Sequence, residues 1–141
     1  RAPAPNWLHQ NRMETTMTER ITFSCHCGGT RLAVSRAPTH ATQCTCSYCT
    51  KTGGLWAYYA PEEIEVLSAT HDAVYSPTTP LHEHHMCTQC GCTTYGISPD
   101  YSLEDTEVPE NKKAAINTRL LDDYALLTAL TVDTIDGRNL W

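Results

Sequence analysis

The chain has 141 residues, a length that suits one domain, and its hydrophobic fraction of 40% includes eight cysteines, so the apolar core is thin. Ten Lys and Arg against sixteen Asp and Glu give a net charge of −6, and no cationic run is present, which argues against nucleic acid as a partner. No apolar stretch approaches the roughly 20 residues of a membrane span. The first twenty residues also lack the apolar segment of a secretory signal, so we expect a cytoplasmic protein without a membrane partner.

The chain divides into two parts when its elements are taken in order. Residues 1–19 mix Pro, Asn, Thr and both signs of charge without periodicity, which predicts a disordered tail before a domain over residues 20–141. From residue 21, short runs rich in Thr, Val, Ile, Tyr and Trp alternate with Gly- and Pro-containing turns, which predicts an all-β, mainly antiparallel fold. The predicted strands are ITFSC (21–25), TRLAVS (30–35), LWAYYA (55–60), IEVL (64–67), AVYS (73–76), HEHHMC (82–87), TTYGIS (93–98), AINTRLL (115–121) and TALTVDTI (128–135).

Helix is predicted in two short places only. PEE at 61–63 places a proline before two acids, as in a first helical turn. LLDDYALL at 120–127 is expected to cap or cross the sheet. The polar segment 100–113 is predicted to be a surface loop.

The eight cysteines indicate metal binding more strongly than disulfides. A reducing compartment disfavours disulfides, and a pair separated by one residue is poorly placed to bridge to itself. Such a pair can bind one ion from a tight knuckle, and zinc is the ion that thiolate knuckles most often hold. We therefore expect two zinc ions per chain.

The first predicted zinc site is closed. Cys25 and Cys27 precede two glycines, which accept the positive φ that a knuckle requires, and Cys87 and Cys90 form a C-x-x-C-G knuckle. These four cysteines (the four-thiol cluster) fill a tetrahedral site and join an early strand to a late one. Four thiolates leave no open position, so this zinc is expected to be structural.

The second predicted zinc site is open. Cys44, Cys46 and Cys49 (the three-thiol cluster) lie within six residues and supply three ligands. Three protein ligands with a fourth position left for water or substrate is how catalytic zinc sites are built. The alternative is a second structural zinc, completed by Cys92 or a histidine.

The order C-x-C-G, C-x-C-x-x-C, C-x-x-C-G resembles the glutathione-dependent formaldehyde-activating enzymes, which are related to centromere protein V. The resemblance continues in GLWAYY (54–59), CGC (90–92), INTRL (116–120) and DGR (136–138), and it extends over about residues 20–141. It implies an Mss4-like fold of stacked small sheets with two zincs, the four-thiol cluster holding the structural ion and the three-thiol cluster the catalytic one. It also implies carbon–sulfur lyase or synthase activity of the S-(hydroxymethyl)glutathione synthase type. The family usually has a more basic segment after the three thiols, and here Lys51 is the only cation.

Side chains near the three-thiol cluster are candidates for binding the substrate. Alternation places Trp56 and Tyr58 on one face of a strand, where they can wall a pocket, although core packing explains both equally well. Lys51 and Arg119 can pair with substrate carboxylates or be plain surface charges. Tyr48 can donate a proton to a developing alkoxide or lie on the surface.

Further titratable side chains have less defined roles. Alternation places His82 and His84 on one face of their strand and His85 on the other, and a metal role for them is the minority interpretation. Cys92 is most simply a buried small hydrophobe.

The sequence thus predicts a zinc enzyme whose partners are a small thiol, such as glutathione, and an aldehyde. The oligomeric state is left open, a homo-oligomer included. The competing hypotheses are a non-catalytic Mss4-like zinc module that docks another protein, and a redox-active or zinc-buffering thiol protein. A docking module has no use for a cluster that lacks a ligand, which favours the enzyme.

Overall fold

A computed structural model describes residues 20–141 of the chain, and the predicted tail over 1–19 lies outside these residues. Ten β-strands dominate the architecture of this described part of the chain. Their bounds are β1 Ile21–Ser24, β2 Thr30–Val34, β3 His40–Cys44, β4 Trp56–Tyr59, β5 Glu65–Ala69, β6 Asp72–Tyr75, β7 Glu83–Cys87, β8 Thr93–Pro99, β9 Lys112–Asn117 and β10 Thr131–Ile135.

The strands form two sheets. A three-stranded sheet has the order β1-β2-β5, and a seven-stranded sheet has the order β10-β3-β4-β9-β8-β7-β6. Every pair is antiparallel except β3 with β10, which run parallel from Thr131 opposite His40 to Ile135 opposite Cys44. The prediction of an all-β, mainly antiparallel fold is confirmed.

The core lies between the two sheets. The small sheet contributes Phe23 and Leu32, both fully buried. The large sheet contributes Tyr59, Tyr95 and Ile116, which come from three neighbouring strands and belong to the same apolar cluster. Because side chains alternate along a strand, the intervening positions of the large sheet face away from this core.

Strand β3 was not predicted from the sequence. Its residues, HATQC, have one apolar alanine among polar side chains, and Ala41 is the buried residue between half-exposed or exposed neighbours. Its composition does not indicate a strand, but its position between β4 and β10 supplies the backbone hydrogen-bonding partners that stabilise one. This strand matters because it ends at Cys44.

Within residues 20–141, three short α-helices follow strands or loops: α1 Ser47–Thr52, α2 Tyr124–Thr128 and α3 Gly137–Leu140. The predicted turn at 61–63 is a 3₁₀ turn, Pro61–Glu63. The predicted helix at 120–127 instead contains the end of a second 3₁₀ turn, Thr118–Leu120, and most of α2. No helix within residues 20–141 is long and apolar enough to cross a membrane.

The predicted strand 115–121 was wrong at both ends, since β9 begins at Lys112 and ends at Asn117. The strand ends there because the Asn117 side chain takes over as a cap. Its Oδ1 accepts hydrogen bonds from the amides of Leu55 and Arg119, and its Nδ2 donates to the Thr93 carbonyl. Asn117 thereby fixes the loop that leads from α1 into β4.

Candidate metal centres

The four-thiol cluster is assembled by the structure as its spacing predicted. The Sγ atoms of Cys25, Cys27, Cys87 and Cys90 lie within 4.8 Å of one another. Cys27 Sγ is 3.7 Å from Cys25 Sγ and 3.5 Å from Cys87 Sγ. Four thiolates at ~2.3 Å from a tetrahedral zinc are separated by about 3.8 Å, so these distances suit one zinc ion.

Two glycines shape the knuckles that carry these thiols. Gly28 and Gly91 have φ of 80° and 79°, a conformation that glycine adopts without strain. Their amides donate to the carbonyls of Cys25 (3.0 Å) and Cys87 (2.8 Å), which closes each turn. The two knuckles therefore share the same kind of turn-closing hydrogen bond, although the Cys87–Cys90 knuckle is one residue longer than the Cys25–Cys27 knuckle.

Backbone amides stabilise negative charge in this cluster. Thr30 N donates to Cys25 Sγ at 3.2 Å. The amides of Cys27 and Cys92 lower the pKa of Cys90 to about 5, since they hydrogen-bond to its thiolate. The Gly29 amide acts in the same direction on Cys27, but burial and the hydrogen bonds with Cys87 and Cys25 raise the pKa of Cys27 to about 12. The negative charge is therefore unevenly distributed over the four sulfurs, and a bound cation would favour the thiolate form of all of them.

The three-thiol cluster is also assembled. The Sγ atoms of Cys44, Cys46 and Cys49 lie within 4.8 Å of one another. Cys44 ends β3, Cys46 is the N-cap of α1, and Cys49 is in the first turn of that helix. Helix α1 was not predicted, because SYCTKT carries no apolar periodicity. The helix is stabilised by its N-cap, since Cys46 Sγ accepts a hydrogen bond from Cys49 N at 3.4 Å.

The thiols of this cluster differ in the direction in which their pKa values are shifted. Burial raises the pKa of Cys49. Burial acts in the same direction on Cys46, but the amide of Cys49 hydrogen-bonds to its sulfur and leaves its pKa lowered. Cys44 Sγ accepts from Cys46 N at 3.4 Å. Backbone N–H donors thus point at the sulfurs here too, as in the first cluster.

A fourth protein ligand does not join this cluster among residues 20–141, where the group consists of three cysteines. Cys92 lies beside the four-thiol cluster instead: its carbonyl accepts from Cys87 N at 2.9 Å, and it packs against the core with Cys90. The alternative in which Cys92 completes the second site therefore has no geometric support.

The histidines have other contacts. His84 stacks on Tyr48 with ring centroids 4.0 Å apart. His85 is buried, with Nδ1 3.0 Å from Asp72 and Nε2 3.1 Å from Glu83. His84 and His85 lie on opposite faces of β7, as alternation predicted, whereas His82 precedes the strand.

Trp56 touches the three-thiol cluster directly. Its Nε1 donates to Cys49 Sγ at 3.3 Å, and its ring is buried. Gly54 leaves room for this ring, because a Cβ at position 54 would come within 2.7 Å of the indole Cε2. The hydrogen bond orients the sulfur, a role that the sequence prediction of a pocket wall did not include.

Tyr58 lies two residues further along the same face and is 43% exposed. Burial of its phenol, together with the nearby thiols of Cys44 and Cys49, raises its pKa, so the hydroxyl is protonated at neutral pH. Tyr58 is thus available to a ligand on the exposed side of the large sheet. Its assignment to substrate binding stays a prediction.

The two predicted cations differ in their surroundings. Arg119 Nε donates to the Gly53 carbonyl at 2.9 Å, so this side chain holds the end of α1. Lys51 is exposed on α1 and makes no ion pair with any residue of 20–141. Its role in substrate binding stays a prediction.

The C-terminal turn closes over the three-thiol cluster, a contact that the sequence did not predict. A Cβ at Gly137 would collide with Cys44 Sγ and with the Trp141 ring. Thr45 N donates to the Ile135 carbonyl at 3.1 Å, and Arg138 N donates to Thr45 Oγ1 at 3.2 Å. The DGR segment at 136–138 is part of the family pattern, and its Gly137 permits this close approach.

Fold and site together define a β-sandwich-like domain with two cysteine clusters able to hold metal ions. A family model for the glutathione-dependent formaldehyde-activating enzymes matches residues 20–125. The chain therefore belongs to that family, and the resemblance seen in its sequence is confirmed.

Two further comparisons bear on the fold. No curated protein matches the chain. Its fold is similar to that of a Rhodobacter sphaeroides protein known from a crystal structure, with a TM-score of 0.60 and 20% identity. The alignment covers 80% of this chain and 100% of that one.

Proposed function

We propose that this protein is a zinc-dependent carbon–sulfur lyase or synthase that joins a small thiol to an aldehyde, as S-(hydroxymethyl)glutathione synthases do, and that the three-thiol cluster is its active site. The observation that carries the proposal is that one cluster has the four thiols that a tetrahedral zinc needs, whereas the other cluster has only three. Family membership supports glutathione as the thiol and formaldehyde as the aldehyde.

The chemistry of the donor atoms fits zinc at both clusters. The four thiols would hold a structural ion, and Cys44, Cys46 and Cys49 would hold a catalytic one. When bound there, a zinc ion with three thiolate ligands would supply a fourth position that lowers the pKa of a thiol, and a Lewis acid for a carbonyl oxygen.

The overall reaction is an addition that needs no oxidant or cofactor beyond the metal. The carbon–sulfur bond forms as the carbonyl π bond breaks, and the proton of the thiol ends on the former carbonyl oxygen. The reverse sequence cleaves the adduct, so one site serves both directions.

The chain's own residues position the reactants and the metal ligands. Trp56 fixes the orientation of Cys49 through its N–H···S bond, and Gly137 allows the C-terminal turn to cover Cys44. Tyr58, protonated and partly exposed, is the hydroxyl that can donate to an oxyanion next to the cluster. These contacts hold the site rigid, which favours catalysis by orientation.

Exchange spectroscopy by NMR tests the proposal. Interconversion of free glutathione and formaldehyde with their adduct is measured with zinc-loaded wild type and with Cys46→Ser. We expect wild type to accelerate exchange and Cys46→Ser to lose most of the acceleration.

Cys92→Ser is the matched control, because it removes a thiol outside both clusters and should keep the activity. Wild type that binds two metal ions and leaves the exchange rate unchanged would favour the non-catalytic zinc module.

A further inference from the structure

The face of the large sheet that points away from the core carries a row of aligned residues. Tyr58 on β4 is opposite Ala115 on β9, Ala115 is opposite Gly96 on β8, and Gly96 is opposite His84 on β7. Directly opposite residues of antiparallel strands share one face, so these four side-chain positions form a line across the sheet.

Small residues lie at the centre of this row, and large aromatic side chains lie at its two ends. Ala115 and Gly96 are the smallest residues available and are only half-buried. Tyr58 rises on one side, and His84, stacked on Tyr48 at 4.0 Å, rises on the other. The result is a groove with a small-residue floor between two aromatic walls.

One end of the groove lies at the three-thiol cluster. Trp56 precedes Tyr58 by two residues on the same face and binds Cys49, and Asn117 is opposite Trp56. A ligand in the groove therefore has a thiol cluster at its Trp56 end.

The other end carries a cation. Lys113 lies two residues from Ala115 on the same face of β9, and its Nζ is 4.9 Å from the centroid of the Tyr58 ring. No carboxylate of residues 20–141 forms an ion pair with Lys113. Lys113 also borders a cleft of about 370 Å³, whose charged lining includes Lys112, Glu63 and Asp100.

Strand geometry gives the span between the two ends. At about 3.4 Å per residue, Ala115 lies about 7 Å and Lys113 about 14 Å from Asn117 along β9. Because the Lys113 side chain leans over Tyr58, its ammonium lies towards the nearer end of that interval. A ligand that reaches both ends needs a carboxylate separated from its sulfur by at least one peptide-sized unit.

We propose that this groove selects thiols that carry a carboxylate distant from the sulfur, and that Lys113 is the residue that binds the carboxylate. The inference rests on the proposed function and adds to it the residue that binds the carboxylate of the thiol. Lys113 is a specificity-determining residue and takes no part in the proton transfer.

A pair of thiols and a pair of lysines test this. Glutathione and its dimethyl ester share the thiol and the backbone but differ in carboxylate charge. Lys113→Gln removes the proposed cation, whereas Lys112→Gln removes its exposed neighbour, which borders the same cleft from the opposite face of β9. KM and kcat for adduct formation with formaldehyde are measured for each combination with zinc-loaded protein.

We expect Lys113→Gln to raise KM for glutathione roughly tenfold with little change in kcat, because a charge-assisted contact made before the reaction is lost. The ester should show the same KM with wild type and Lys113→Gln, and Lys113→Arg should restore most of the affinity for glutathione. Mercaptoacetate, whose carboxylate adjoins the sulfur-bearing carbon, should not respond to the substitution.

Binding is measured independently of turnover from the sulfur-to-cobalt charge-transfer band of the cobalt-substituted protein. The same selectivity in Kd supports the proposal. Equal losses with Lys113→Gln and Lys112→Gln, equal losses for glutathione and its ester, or a larger loss with Lys51→Gln would overturn the inference and leave the proposed function standing. Failure of every thiol to bind or react with wild type would overturn both.

Discussion

Trp56 Nε1 donates a hydrogen bond to Cys49 Sγ at 3.3 Å, which links a residue of β4 to a sulfur of the three-thiol cluster. The bond opposes the rise in the Cys49 pKa that burial causes. Donors of this kind outside the ligand set orient a ligand and adjust its basicity. The indole is thus part of the second candidate metal centre.

Trp56→Phe keeps an aromatic ring but removes this donor. We expect the affinity of the three-thiol cluster for zinc to fall by about tenfold, within the range measured for such partners, with the four-thiol cluster unaffected. Chelator competition, followed by metal release in two phases, measures the effect. Tyr59→Phe is the control, since its hydroxyl donates to the Arg36 carbonyl in another part of the sheet; an equal loss of affinity in both variants would contradict the assignment.

The clusters are expected to bind two zinc ions per chain. Their sulfurs form two separate groups, each of a size that one ion fills. Elemental analysis of protein purified without added metal measures the content. One ion or none, with disulfides detected by mass spectrometry, would refute the metal assignment.

The two clusters are expected to respond differently to loss of a thiol. Cys87 is fully buried, and Cys87→Ser should unfold the domain or lower its melting temperature strongly, because a structural zinc contributes folding free energy directly. Cys46→Ser should abolish adduct exchange and cost less stability. Thermal unfolding and NMR exchange on both variants decide this, and equal destabilisation would count against an open catalytic site.

Gly137→Ala is expected to damage the three-thiol cluster alone. The added Cβ collides with Cys44 Sγ and the Trp141 ring, so either the C-terminal turn or the sulfur must move. Gly91→Ala is the matched change at the other cluster, where the obstacle is the positive φ and not a collision. Cobalt spectra of the two variants should show loss at different sites; a Gly137→Ala protein with both sites intact would exclude a role for the turn.

The stability of the domain is expected to depend on acid through Glu63. The Ala60 amide donates to its carboxylate at 2.9 Å and the Arg36 guanidinium pairs with it at 3.1 Å, and both lower its pKa. A lowered pKa in the folded state means that the contribution is complete above the pKa of the unfolded chain and is lost as the pH falls through the lower value. Wild type should therefore be more stable than Glu63→Gln at neutral pH, with the difference vanishing in acid. Denaturant melts over a pH series measure it, and a difference that persists in acid would assign the effect to packing.

The spacing of the cysteines determined much of the candidate site without any structure. Two sulfurs within one turn can reach a common ion, so local sequence identifies each knuckle, and the glycine after each knuckle follows from the positive φ that the turn needs. Strand identity was predictable where apolar and polar residues alternate. Where composition was neutral, as in β3 and α1, local pattern failed because partners elsewhere in the chain or a cap stabilise the element.

Only the tertiary structure decided what surrounds the sulfurs. Pairing of β4 with β9 places Lys113 on the face of Tyr58, although more than fifty positions separate them in the sequence. The parallel pairing of β10 with β3 brings Gly137 against Cys44, and the fold directs Arg119 to a backbone carbonyl and Cys92 to the four-thiol cluster. Sequence spacing constrains neighbours within a turn, whereas contacts between strands depend on register, which the packing of the whole sheet against its core determines.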